Sequence, residues 1–259
     1  MQTLLALLSA VLLSLAIAAI PVGVSSRGDT RIRTERFYWI FAVLGPLFVT
    51  LRYVLTRGED FNFDHLNYHI SVPSLISHGT YGASVAPAGI QGYFNPLLDR
   101  IELAGMMHLS PRVFAISLAL VQSLAFMMAA PICRTVARPG QDLRPVMAAL
   151  SGYMLCLLAP VALSEGGTTL IELPTAVLVI GAYALLLQRG VWIGPLASGA
   201  LAGALIGAAV ALKLTNAVFA LGVVGFALAG RDRFRQRLPW LIACGAAALA
   251  GFLAVGGVW

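Results

Sequence analysis

Long, nearly uninterrupted apolar runs are the feature that most restricts what this chain can fold into. Several are about 20 residues long, the length that a helix needs to cross a bilayer. Lipid offers no hydrogen-bond partner to an open backbone, so such runs must be helical, and they lack the every-second-residue alternation of barrel strands. With 59% hydrophobic residues, the sequence predicts an all-α, polytopic membrane protein with one domain over residues 1–259.

The runs predict about eight spans. In chain order they cover residues 4–24, 37–55, 113–132, 146–163, 170–187, two spans within 191–230, and 238–258. The first run has no basic segment before it, which favours an uncleaved span over a signal peptide. The two spans within 191–230 are expected to separate near Lys213. In the sixth span Gly199, Gly203 and Gly207 share one helix face, which predicts close approach of a neighbouring helix.

The basic residues predict the orientation of the bundle. Most of the 17 lysine and arginine residues lie in the connectors that follow spans one, three, five and seven. The positive-inside rule places these connectors in the cytoplasm and residues 57–112, the 164–169 turn and Lys213 on the other side. The net charge of +6 therefore reflects membrane topology, and we expect no nucleic-acid partner.

The predicted external loop, residues 57–112, gathers titratable groups that are scarce elsewhere in a chain with 11% charged residues. It holds all four histidines and five of the 11 acidic residues: His65, His69, His78, His108, Glu59, Asp60, Asp64, Asp99 and Glu102. Such a concentration makes the loop the natural place for chemistry.

Two short amphipathic helices are predicted in this loop. The first follows Asp64, places His65, Tyr68 and His69 on one face, and stops at Gly79. The second runs over residues 97–108 after Pro96, and the segment 82–95 between them is expected to be irregular. We expect both helices to lie at the membrane interface, and we expect the first to have its apolar face toward lipid and its polar face toward water.

Four short motifs in the chain resemble those of a known family. They are Asp64-x-x-x-Tyr68-His69, Gln91-Gly92-Tyr93-Phe94-Asn95-Pro96, Ser164-Glu165-Gly166-Gly167-Thr168-Thr169 and Leu212-Lys213-Leu214-Thr215. Together they resemble the integral-membrane glycosyltransferases of the GT-C fold, including the bacterial mannosyltransferase and arabinosyltransferase types. The resemblance covers about residues 35–230. Family members usually have more than eight spans, so the chain is expected to be a shortened relative or a fragment.

The resemblance implies a function and a location. GT-C enzymes use polyprenyl-phosphate sugars as donors, and an acidic residue of the first external loop deprotonates the acceptor. That role falls on Asp64, with Asp60 as second choice, although His65 stands where the family often has another acid. The implied location is the bacterial inner (plasma) membrane, with residues 57–112 periplasmic or extracellular and the lipid bilayer as partner. The sugar and the acceptor stay open.

The candidate substrate-binding residues are polar or aromatic side chains of these motifs: His65, Tyr68, His69, Gln91, Asn95, Glu165 and Lys213. A lysine within a long apolar run needs water, a partner or an anion, so Lys213 is the candidate for holding the departing phosphate. His65 and His69 have the i, i+4 spacing of metal ligands. We predict no metal site, while a divalent cation stays open as a cofactor.

Other interpretations of the same residues stay open. Asp64 fits an N-cap, Lys213 fits a side chain that extends to the headgroups, and Tyr68 fits an interface anchor. At the level of the whole chain, a transporter or flippase-like carrier and a noncatalytic membrane subunit are the alternatives. A carrier is expected to hold its ionisable groups near the bilayer midplane, commonly in repeated halves.

Overall fold

The computed structural model of the chain describes residues 27–56, 63–83, 94–137, 144–187, 194–229 and 234–257. Every regular element in these ranges is helical, which confirms the all-α fold class. The α-helices are α1 (Arg27–Thr56), α2 (Ser71–Ser77), α3 (Leu97–His108), α4 (Pro111–Val136), α5 (Arg144–Leu157), α6 (Pro160–Glu165), α7 (Glu172–Leu187), α8 (Pro195–Leu212), α9 (Ala217–Ala229) and α10 (Phe234–Gly256). A π-helical turn (His65–His69) and two 3₁₀ turns (Tyr81–Ala83 and Leu214–Asn216) complete the set.

Four helical stretches among the described residues are long and apolar enough to cross a membrane. They lie in α1, α4, α8 and α10 and cover Ile32–Thr56, Pro111–Val136, Pro195–Leu212 and Leu238–Gly256. They match predicted spans two, three, six and eight, and they identify a membrane protein. Shorter apolar helices stand where spans four, five and seven were predicted. The first predicted span, residues 4–24, lies outside the described residues, and the total of eight stays a prediction.

The predicted fourth span is not one continuous helix. Helix α5 ends at Leu157, and α6 begins only at Pro160. Proline disfavours a helical conformation in the residue before it, and Ala159 has extended backbone angles, φ −59° and ψ 125°. The short helix α6 follows the break, and residues 166–171 then form the turn that connects α6 to α7.

The predicted break near Lys213 is confirmed. Helix α8 ends at Leu212, Lys213 is extended with φ −146° and ψ 109°, and a 3₁₀ turn leads into α9. The Asn216 side-chain Nδ2 donates to the Ala209 carbonyl at 3.0 Å, and this carbonyl also accepts the Lys213 N–H at 3.0 Å.

The predicted glycine face of α8 packs against α10. A Cβ added at Gly203 would overlap the carbonyl oxygen of Cys244, and one at Gly207 would overlap that of Ala248. Gly251 of α10 faces Ala204 in the same way. Because only a hydrogen atom fits between the two backbones, the helices approach at a distance that any larger residue would forbid.

At the other side of the bundle, tyrosine hydroxyls join α1, α4 and α5. Tyr38 donates to the Ala130 carbonyl at 2.6 Å, and Tyr153 donates to that of Ala42 at 2.9 Å. Both tyrosines are fully buried. Arg134 completes the set with a two-point ion pair to Glu35, at 2.8 and 3.1 Å. These bonds anchor the end that the positive-inside rule assigns to the cytoplasm.

The close packing of α8 and α10 predicts an asymmetric response to adding one methyl group. We expect Gly207→Ala to lower the free energy of unfolding by about 1–3 kcal/mol, the usual effect of overpacking. Gly245→Ala on α10 is the matched control, since a Cβ there meets nothing within 4 Å. It should be neutral or slightly stabilising, because alanine favours helix over glycine. Denaturant unfolding in detergent micelles measures both, and equal effects of the two changes would contradict the packing.

Candidate functional site

The segment after Asp64 forms a single π-helical turn, closed by a 3.2 Å hydrogen bond from the Ile70 N–H to the His65 carbonyl. Such turns are rare and often lie at functional sites. Asp64 precedes the turn, but its side chain makes no capping hydrogen bond. Its carboxylate instead lies close enough to Tyr68 for its charge to raise the pKa of that phenol. Asp64 therefore occupies the N-cap position of the turn without capping it through its side chain.

The two histidines of the π-turn face the interior of the bundle. His65 is 8% exposed and His69 is 3% exposed. The expectation that this polar face points to water is therefore wrong. The reason is that both imidazoles find polar partners inside, as buried polar groups must. His69 Nδ1 lies 2.7 Å from Asp99 Oδ1, and His65 Nδ1 lies 2.6 Å from the Thr169 hydroxyl oxygen.

Helix α3 begins after Pro96 and ends at His108, as predicted. Its carboxylates are buried, with Asp99 8% exposed and Glu102 6% exposed, whereas Ile101 is 61% and Met107 is 72% exposed. The acidic face of α3 is therefore the buried one, and its apolar residues Ile101 and Met107 lie on the exposed side. Asp99 was not among the predicted site residues. Its signal in the sequence was the i, i+3 pairing with Glu102 opposite apolar positions.

The turn between α6 and α7 is held by an amide from the middle of α4. Gln122 is completely buried. Its Oε1 accepts from the Gly167 N–H at 2.6 Å, and its Nε2 donates to the Thr168 carbonyl at 3.0 Å. Gln122 lies twelve residues before Arg134, roughly 18 Å along the helix axis, so the turn reaches well into the bundle. Sequence analysis missed Gln122, although it is the only amide side chain in α4.

Glycine is required at the tip of this turn. Gly167 has φ +76°, and a Cβ there would overlap the Val54 side chain near the end of α1. A residue with a side chain would be both strained and obstructed at this position. The turn therefore packs tightly against α1 on one side and α4 on the other.

Lys213, the only lysine in the chain, forms an ion pair with Glu172, the first residue of α7. Both side chains are partly exposed, Lys213 by 25% and Glu172 by 44%. Glu165 lies within range of both charges. Burial raises the pKa of Glu165, the Glu172 carboxylate raises it further, and the Lys213 ammonium lowers it.

Tyr68 links this charged group to the π-turn. Burial is the main cause that raises the pKa of its phenol, followed by the charge of Asp64 and then by the charges of Glu172 and Asp99. Glu172 therefore connects the predicted site residues: its charge acts on Tyr68, as that of Asp64 does, and it also acts on Glu165 and pairs with Lys213. We call Asp64, Tyr68, Glu165, Glu172 and Lys213 the polar cluster.

The remaining predicted site residues have different positions. Asn95 uses its side-chain Nδ2 to donate to the Ala211 carbonyl at 3.0 Å and to the Val255 carbonyl at 3.3 Å. It thereby ties the ends of α8 and α10 to the start of α3, and its role in binding substrate stays a prediction. Asp60 and Gln91 lie outside the described residues.

In the part of the chain that the structure describes, the side chains that could bind a metal ion are not grouped together. No group of three or more histidine, cysteine, aspartate and glutamate side chains there could hold an ion. The Nδ1 atoms of His65 and His69 are turned to different partners, Thr169 and Asp99. A divalent cation as cofactor stays a prediction.

No protein-family model, no curated protein and no solved structure matches this chain. The resemblance to GT-C glycosyltransferases therefore remains an expectation from short motifs. The geometry of the polar cluster supplies the argument about function.

The electrostatics of the cluster predict how Glu165 titrates. We expect Lys213→Met to raise the pKa of Glu165 further, because the change removes the one charge that lowers it. Carboxyl infrared bands or NMR of labelled glutamate, followed over pH, measure this. Arg134→Met, at the opposite end of the bundle, should leave the Glu165 titration unchanged. A Glu165 titration that is the same with and without Lys213 would contradict the arrangement.

The same pKa sets a direction for stability. The folded chain binds the Glu165 proton more tightly than the unfolded chain, so this group disfavours folding increasingly as pH rises from the ordinary pKa of 4.5 to the raised value. Glu165→Gln should therefore stabilise the chain above this window, with no gain below it.

Proposed function

We propose that this chain is a membrane glycosyltransferase of the GT-C type. It would move a sugar from a polyprenyl-phosphate donor to an acceptor hydroxyl on the non-cytoplasmic side of the membrane. The observation that carries the proposal is the ion pair between Lys213 and Glu172, whose carboxylate acts together with that of Asp64 on the Tyr68 phenol.

The chemistry of transfer needs two kinds of group. In the proposed reaction the acceptor oxygen forms a bond to the anomeric carbon as the bond from that carbon to the phosphate oxygen breaks. Asp64 takes the acceptor proton, and the bond electrons leave with the phosphate, whose charge Lys213 stabilises. The Tyr68 hydroxyl, whose pKa the Asp64 charge raises, would hold the carboxylate in a fixed orientation for the acceptor.

The position of α3 supports a lipid-borne substrate. Its exposed residues Ile101 and Met107 are suited to acyl chains, and Leu109 and Ser110 alone separate α3 from the spanning helix α4. An amphipathic helix in such a place lies in the membrane interface. We propose that it separates lipid on one face from Asp99 and the π-turn on the other, within an eight-span bundle whose 57–112 loop lies outside the bacterial inner membrane.

A proton-coupled carrier is the second candidate. The observation that favours it is the interrupted path from α5 through α6 to α7, with the partly buried Glu165 at the end of α6. Broken helices that hold ionisable groups are typical of transport proteins. A noncatalytic membrane subunit would use the same contacts for structure alone.

Asp64→Asn tests the proposed base. We expect sugar transfer from polyprenyl-phosphate donors in membranes to fall by about 100-fold or more, the usual contribution of a general base. Asp60→Asn, the second choice from the sequence, is measured beside it. Glu35→Gln, at the far end of the bundle, controls for loss of a carboxylate without loss of the site, and folded yield is compared for all three.

Transfer that persists in both Asp64→Asn and Asp60→Asn would exclude an aspartate base from this loop. Substrate uptake into vesicles that survives both changes, with no transfer detected, would favour the carrier.

A further inference from the structure

We infer that Glu172 is an internal competitor for Lys213. A phosphate-bearing anion would bind by taking the lysine ammonium away from Glu172, and a proton bound at Glu165 would offset the negative charge left behind. This inference rests on the proposed function for its ligand class, and it assigns a specificity role to Glu172 that the sequence did not suggest.

The charge of Lys213 is already neutralised by Glu172. Its ammonium is bonded to a Glu172 oxygen, so an incoming anion does not meet a free cation. The anion must replace the carboxylate or share the ammonium with it. Because the chain contains no second lysine, this contact decides how available the amine of the cluster is.

The ion pair between Lys213 and Glu172 can open. Its side chains are 25% and 44% exposed, and ion pairs with that much access to solvent contribute little to stability. A fully buried pair would be costly to separate, because one charge would be left uncompensated. Here the ammonium can change partners without unfolding its surroundings.

The Glu172 carboxylate that remains after the exchange lies at the start of a helix. Glu172 is the first residue of α7, where the unpaired backbone N–H groups and the helix dipole favour a negative charge. The carboxylate therefore keeps some stabilisation after Lys213 leaves. A phosphate offers more charge and more acceptor oxygens than a carboxylate, so phosphate-type anions are the class that should win the exchange.

The loss of the Lys213 charge from the cluster affects the protonation of Glu165. Among the described residues, the charges that act on Glu165 are those of Glu172 and Lys213, and the charges that act on Tyr68 are those of Asp64, Glu172 and Asp99. Lys213 is the only cation among them, and it lowers the pKa of Glu165. When the ammonium turns to a ligand phosphate, Glu165 should hold a proton more readily, so binding takes up a proton.

Calorimetry on the full chain in lipid nanodiscs tests the exchange, with farnesyl phosphate as the probe and inorganic phosphate beside it to separate the headgroup from the isoprenoid tail. We expect Glu172→Gln to tighten binding by about two- to fivefold, the factor that a partly exposed ion pair is worth. Lys213→Gln should weaken binding of both probes. Titrations in two buffers with different heats of ionisation measure proton uptake, which should fall in Glu165→Gln.

Glu165→Gln is also the matched control for affinity. It removes one negative charge from the same cluster but leaves the bond between Glu172 and Lys213. A larger gain in Glu172→Gln than in Glu165→Gln indicates direct competition. Equal gains, an unchanged or weaker affinity in Glu172→Gln, or no binding of either probe to any variant would overturn the inference.

The outcomes for the two proposals can be told apart. Tighter phosphate binding in Glu172→Gln together with absent sugar transfer would support the exchange and reject the glycosyltransferase. Intact transfer with no effect of Glu172→Gln on binding would do the reverse.

Discussion

Polar groups inside an apolar bundle have no water to bind, so each needs a partner within the protein. This constraint determines where the connecting segments lie. Gln122 in the middle of α4 draws in the turn at Gly167 and Thr168 through two hydrogen bonds. The same turn then presents Thr169 to His65. The turn is thereby fixed against α4, directly before Glu172 at the start of α7.

The π-turn follows the same constraint. Its histidines are attached to two different elements, α3 through Asp99 and the α6–α7 turn through Thr169. Because the imidazoles point inward, the neighbouring Tyr68 comes within electrostatic range of Glu172. The π-turn, in the segment richest in titratable residues, thus packs against the bundle beside the site and does not form a solvated loop.

The sequence predicted the parts of this arrangement that arise from local patterns. Apolar run length predicted the spanning helices, the glycine spacing predicted the close packing of α8, and Pro96 predicted the start of α3. It did not predict the burial of His65, His69 and Asp99. A hydrophobic pattern shows which residues avoid water, but a polar side chain can face either solvent or an unseen partner. Those partners lie 30 and 104 residues away in the chain, and only the tertiary structure brings them together.

Glu172 illustrates the same limit. In the sequence it is one acidic residue at the start of an apolar helix, and Lys213 is an isolated cation forty-one residues later. Their contact changes the role expected of each residue, because the candidate phosphate-binding amine already has an anionic partner. A site built in this way favours ligands that carry more negative charge than a carboxylate.

The central claim is that the α6–α7 turn, the start of α7 and Lys213 meet at one end of the bundle. A zero-length carbodiimide cross-link, mapped by mass spectrometry, tests it most directly, because the single lysine makes the product unambiguous. The account predicts an isopeptide bond from Lys213 to Glu172, with Glu165 as a minor second partner. Lys213 that reacts with small acylating reagents but forms no cross-link to either glutamate, or that links to Glu35 instead, would contradict it.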